Sequence, residues 1–296
     1  MMELRVLRYF LTVVREESIV KAAEVLHVTQ PTLSRQLKEL EEEFGAALFI
    51  RGNRSQALTL TDKGMLLRKR AEELIELADR TQAEMTNDDT SISGDVMIGG
   101  GESDAMRIIA RAARQLQERY PLIHYHLYSG NAEDVKERLD KGLLDFGVFV
   151  QPTDLQKYEK LRLPAADRWG LIVRADSPLA AKTSLTAQEL IGLPLIFSRQ
   201  QRVAKAFEDW FGVSIEDLQI VATYNLAYNA SLLVAEGFGH LLTLDKLIPA
   251  VPGSPYRFIP LTPEIDVHLD FAWKKYQIQS KAAEAFLQEI QKLCAE

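Results

Sequence analysis

Apolar positions recur at helical spacing three times near the start of the chain. Leu4, Leu7, Leu11 and Val14 mark one stripe, Ala22, Ala23 and Leu26 a second, and Leu33, Leu37 and Leu40 a third. Ser18 precedes the second stripe and Thr29 the third, each placed as an N-cap, and Pro31 suits a first turn where no amide partner is needed. The pattern predicts three short helices around one core, closed by Phe44, Leu48 and Phe49, with a tight turn between the second and third. Leu58 and Leu60 then alternate around Thr59, and Arg51 and Arg54 flank Gly52 and Asn53, which predicts a small two-stranded wing.

From Thr61 an Ala, Leu, Glu and Arg-rich run predicts a long helix to about Met85. Leu60, Gly64, Leu67, Ala71, Leu74, Ala78, Thr81 and Met85 alternate spacings of four and three, the seam expected of helix pairing, so dimerisation through this helix is expected. The polar Asn87-Asp88-Asp89-Thr90 run reads as a hinge. Beyond Ser91 short β-branched and aromatic runs alternate with helical patterns, as in α/β units. Candidate strands are 95–99, 123–128, 146–150, 171–173, 195–197, 220–222 and 267–271. Ala282, Phe286, Ile290 and Leu293 define a closing helix.

The boundaries are therefore 1–60 for an all-α winged helix-turn-helix, 61–90 for the linker helix and hinge, and 91–296 for an α/β domain. Two chain crossings, near 161 and 265, predict two lobes: 91–161 with 265–296, and 162–264.

The third helix presents chemistry opposite its leucines. Gln30 and Arg35 are placed to read base edges, Ser34 a base or phosphate, and Thr29 and Lys38 phosphates, with the wing arginines following the flanking backbone or minor groove. A formal charge of −7 argues against indiscriminate polyanion binding. Residues 1–60 hold eight Lys or Arg and eight Asp or Glu, so paired copies of the module are expected to act together.

In the large domain, predicted strands exit at Ser103, Ser129, Ser198 with Arg199, and Thr223. Hydroxyls and one guanidinium converging on an interlobe cleft would suit a small molecule, and Arg199 an anionic one. Ser103 and the amides after the glycine run Gly99-Gly100-Gly101 also read as an anion-binding helix start. No nucleotide fingerprint, metal-ligand spacing or hydrolytic constellation accompanies them, so neither a metal nor an organic cofactor is expected and an enzyme is a remote alternative. Cys294 is alone, and His124 and His126 read as strand residues. No apolar run suits a membrane span or secretory leader, which predicts a cytoplasmic protein without membrane contact.

Taken in order, Ala22-Ala23, Gln30-Pro31-Thr32-Leu33-Ser34, Leu48-Phe49-Ile50-Arg51 and Leu60-Thr61-Asp62-Lys63-Gly64 resemble the LysR-type transcriptional regulators, as do 173–179 and Glu236-Gly237-Phe238-Gly239. The resemblance spans nearly the whole chain. It implies a homodimer or homotetramer that binds double-stranded promoter DNA and senses a non-covalent small-molecule effector in a periplasmic-binding-protein-like domain, with RNA polymerase as a further candidate partner. It places DNA contacts at Gln30, Pro31, Ser34, Arg35 and Arg51 and effector contacts at Ser103, Ser129, Ser198, Arg199 and Thr223. The triple-glycine turn and Asn225-Leu226-Ala227-Tyr228 depart from the family pattern, so no effector transfers by analogy. A solute-binding module that uses its N-terminal domain only to oligomerise is the competing reading.

Overall fold

The computed structural model describes residues 2–50, 58–86, 92–151, 153–199, 201–251 and 253–295. The chain forms two compact units, Met1–Asn87 and Asp88–Glu296.

In the first unit, α1 (Leu4–Glu16), α2 (Ile19–Val25) and α3 (Gln30–Phe44) precede an antiparallel pair, β1 (Phe49–Ile50) and β2 (Thr59–Leu60), and the long α4 (Asp62–Thr86). Ser18 accepts the Lys21 amide and Thr29 the Thr32 amide, each satisfying a donor that the helix start leaves open. Gly45, at φ 61°, ends α3. Leu33, Leu37 and Leu40 are buried as expected, together with Ala22 and Ala23.

The first helix is rotated from the expected stripe. Val6, Leu7, Phe10 and Val13 are its buried residues, while Leu4 is exposed and Leu11 and Val14 are half-buried. Phe10 sets the rotation, because its ring lies 5.3 Å from that of Phe49, and burying the largest side chain outweighs burying any one leucine. Leu48 and Phe49 close the core, but Phe44 stays exposed. It falls off the Leu33, Leu37 and Leu40 face in the last turn of α3. Glu41 supports the closure differently: its carboxylate accepts the Leu48 amide at 2.7 Å and the Phe49 amide at 3.3 Å.

The seam along α4 divides. Thr61 accepts the Gly64 amide at 3.0 Å and donates to the Ala47 carbonyl at 2.7 Å, fixing the start of α4 against the wing. A Cβ on Gly64 would meet the Leu48 carbonyl oxygen at 2.1 Å, so only glycine permits this approach. Leu67 and Ala71 are buried in the unit's own core, and Arg8 of α1 pairs with Asp79 one side of α4 further on. Leu74 is exposed, as are Leu66, Leu77 and Met85. Thus the first half of the stripe packs within its own chain, while Leu66 beside it and an apolar set further along stay uncovered.

The second unit begins with parallel strands β3 (Gly94–Gly100), β4 (Ile123–Ser129) and β5 (Phe146–Val150), linked through α5 (Met106–Arg119) and α6 (Ala132–Asp140). The chain continues through β6 (Tyr158–Arg174), α7 (Ala187–Leu190), β7 (Leu195–Ser198), α8 (Gln201–Phe211), β8 (Ile220–Tyr224) and α9 (Ala227–Ala235). It ends with β9 (His240–Leu244), β10 (Tyr256–Pro260), β11 (Asp266–Lys274) and α10 (Lys281–Ala295). Among the described residues the strand order is β4-β3-β5-β11-β6-β9-β7-β8, with β10 also on β6. β6 and β11 run antiparallel to their neighbours on this path, so the sheet is mixed rather than purely parallel.

Strand β6 serves both halves. It pairs with β11 up to Arg168 and with β9 from Trp169, so the chain crosses there and not near 161. The return falls at β11, whose Asp266 pairs with Arg168. One core gathers around Phe146, Phe271 and Phe286; another gathers around Trp169, Phe197 and Phe207. Each half thus buries its own aromatic cluster, while two hydrogen-bonded strands join them.

Candidate nucleic-acid interface and effector cavity

Helix α3 separates its two tasks by spacing. Leu33, Leu37 and Leu40 anchor it in the core, which leaves Gln30, Ser34 and Lys38 in one row and Pro31 with Arg35 beside it. Thr29, Gln30, Pro31, Arg35 and Lys38 are exposed and Ser34 is half-buried. Thr29 also bonds the Thr32 hydroxyl at 2.8 Å, so this end of the helix is rigidly capped. Arg35 lies 3.6 Å from Glu39 and Lys38 3.3 Å from Glu42. Both pairs are solvent-exposed and contribute little stability, so both cations can exchange a glutamate for a phosphate or base at small loss. A hollow of about 450 Å³ beside this face is lined by Ser34, Arg35, Lys38, Glu41, Phe49 and Leu58 among others. Arg51 and Arg54 lie outside the described residues.

In the second unit β3 and β4 are adjacent and parallel, with Gly100 opposite Ser129, so their ends open together. A cavity of about 300 Å³ lies there, lined by Gly100, Gly101, Glu102, Ser103, Met106, Leu127, Tyr128, Ser129 and Leu247. Ser103 and Ser129 are therefore brought together. Ser198 and Thr223 are not part of it: β7 pairs with β8, placing Phe197 opposite Thr223 and Ser198 opposite Tyr224 on separate strands. Ser198 is buried, whereas Thr223 and Arg199 are exposed. The Arg199 amide donates to the Tyr224 carbonyl, and its guanidinium does not line the cavity.

In and behind the lining stand residues that the sequence alone did not single out. Ser103 donates its hydroxyl proton to Asp167 at 2.7 Å and accepts the Ala105 amide at 3.0 Å. Asp167 is fully buried in β6, and its Oδ1 has no hydrogen-bond partner among the described residues. Burial pushes its carboxyl above the usual range; the Ser103 hydrogen bond opposes this, Asp245 and Asp104 reinforce it, and Lys246 opposes it. Glu102 reaches the other half of the domain, where its carboxylate accepts the Ala227 amide at the start of α9. Leu226, which precedes that helix, has no capping side chain of its own. Tyr224 donates to the Leu242 carbonyl at 2.8 Å. Burial raises its phenol pKa, a bond with Thr243 opposes that rise, and Glu102 adds to it.

One signal for Asp167 was present in the sequence. It follows Leu163 in phase with the buried side of β6, a carboxylate where a strand should bury an apolar group. Among the described residues no three His, Cys, Asp or Glu side chains gather as a metal site, and no helix is long and apolar enough to cross a membrane.

A capped helix-turn-helix with a wing, joined in sequence to a two-part α/β domain holding a ligand-sized cavity, defines a helix-turn-helix transcriptional regulator. Residues 4–65 match the bacterial regulatory helix-turn-helix protein model of the lysR family, and residues 90–295 match the LysR substrate binding domain. The chain belongs to the LysR family of transcriptional regulators. It is 27% identical to the HTH-type transcriptional regulator BsdA of Bacillus subtilis (strain 168), over 84% of this chain and 86% of that protein. It is 25% identical to the regulator BudR of Raoultella terrigena, over 97% and 99%. Full-length CbnR in complex with its target DNA shares the fold, with a TM-score of 0.76 at 18% identity, covering 99% of this chain and all of that one.

Proposed function

We propose that this protein binds promoter sites as an oligomer through Thr29, Gln30, Pro31, Ser34, Arg35 and Lys38, with Arg51 and Arg54 contributing from the wing. A small molecule bound in the large domain shifts the arrangement of the subunits on DNA. The observation that carries this reading is the division of α3 into a buried leucine face and an exposed polar and cationic face. CbnR, of the same fold, has been captured on its target DNA, which supports DNA binding here.

Self-association follows from the uncovered Leu66, Leu74 and Leu77 on α4. Two copies double the phosphate contacts available to a reading head whose own cations and anions balance. The effector site is the cavity holding Ser103 and Ser129; Ser198, Arg199 and Thr223 stand at other strand exits and would join it only through movement of the halves.

The test is enrichment of genomic fragments by the purified full-length protein, followed by sequencing. Sharply enriched fragments sharing a two-fold motif are expected, and diffuse, salt-sensitive enrichment would reject sequence-specific regulation.

A further inference from the structure

We propose that the cavity at the ends of β3 and β4 takes an effector with a protonated amine or amidine on an apolar body, with Glu102 as the residue that holds the charge. This rests on reading that cavity as the effector site.

The wall is biased toward accepting hydrogen bonds. Glu102 is the charged residue among those lining the cavity, and Met106, Leu127, Tyr128 and Leu247 supply an apolar surface for the rest of a ligand. Ser103 has one proton and gives it to Asp167, so toward a ligand it offers a lone pair. Behind it the buried Asp167 keeps one carboxylate oxygen without a donor among the described residues, a condition that positive charge beyond that of Lys246 relieves and a second anion worsens.

Several groups that would favour an anion are occupied or elsewhere: Lys246 pairs with Asp245 at 3.7 Å, and the Arg138 guanidinium stacks on the Tyr128 ring. At the start of α5 the Ala105 amide is bound to the Ser103 hydroxyl, the Met106 amide to the Ser103 carbonyl and the Arg107 amide to the Asp104 carbonyl. The first amides of α5 are thus already bound. Arg199 is exposed outside the cavity. Glu102 caps α9 through the Ala227 amide, but an ionised carboxylate has about four acceptor positions, so it can hold a ligand cation as well. Such a cation would sit between a residue of one half and the helix that residue caps in the other. Binding is then linked to the fit of the two halves.

The test uses the full-length protein and matched probes: benzylamine, phenethylamine and butylamine against benzoate, phenylacetate and butyrate, titrated by calorimetry at pH 7.5. Amines are expected to bind and carboxylates of the same body not to. Glu102→Gln should weaken the best amine at least about tenfold, since it keeps shape and hydrogen bonding but removes charge. Its fold is checked by circular dichroism and the unliganded melting temperature. Ser129→Trp should abolish amine binding by filling the cavity.

Carboxylate binding that Ser129→Trp removes would overturn the charge class while keeping the cavity as the effector site. Absence of any probe binding sensitive to Ser129→Trp would overturn both. Amine binding unchanged in Glu102→Gln would overturn the role of Glu102.

Discussion

Arg35 and Lys38 stand on the same helix with different proposed tasks, and their substitutions should separate. Arg35→Ala is expected to cost about 1–3 kcal/mol on the preferred site and to relax preference at one base position, whereas Lys38→Ala should weaken all sequences alike and lower the salt slope by about one. Binding isotherms on matched and mismatched duplexes at several salt concentrations distinguish the two; a uniform loss for Arg35→Ala would remove it from base reading. Asp167 governs a different response. Its carboxyl is raised in the fold, chiefly by burial, so the folded chain holds this proton more tightly than the unfolded one. The stability associated with it is present below the ordinary 3.8 and is lost as pH rises through the raised value. Asp167→Asn should abolish that contribution while retaining an acceptor for Ser103. Urea midpoints for both proteins from pH 3 upward should therefore diverge as pH rises, with the variant gaining relative to wild type; parallel curves would show that Asp167 does not titrate differently on folding.

At the scale of elements, α4 depends on one close approach. Gly64→Ala places a methyl group against the backbone oxygen of Leu48, which cannot move aside like a side-chain end, so a loss of about 1–3 kcal/mol is expected in the urea unfolding of the first unit. Features confined to short sequence distance were legible beforehand: Ser18 and Thr29 cap the helices that follow them because capping is decided within three residues. Rotation of α1 was not, since Phe10 finds Phe49 only after the chain folds back. Strand β6 was recognised only over 171–173. Its earlier part, Tyr158-Glu159-Lys160-Leu161-Arg162-Leu163-Pro164, mixes charge and proline and is held by antiparallel pairing with β11, far away in sequence. β9 and β10 were missed altogether. The candidate site divided for a similar reason. Ser103 and Ser129 converge because β3 and β4 are neighbours, a relation set by strand order, while Ser198 and Thr223 lie at the ends of β7 and β8 in the other half.

For the whole molecule, a net charge of −7 and a charge-balanced N-terminal region lead to the expectation that association with DNA depends on assembly. Leu74→Glu places a charge in the uncovered apolar set of α4 and should reduce the sedimenting mass to that of one chain, with operator affinity falling alongside. An unchanged mass would move the subunit contact elsewhere. A last consequence lies in the pairing of Arg168 with Asp266. Everything between them leaves and returns through adjacent antiparallel strands, so its two ends lie about 5 Å apart. That stretch is a cassette nested within a hairpin. It can be exchanged between related chains at those two joints, or replaced by a two-residue turn, without re-routing the remaining backbone, so the sensor can be rebuilt one half at a time.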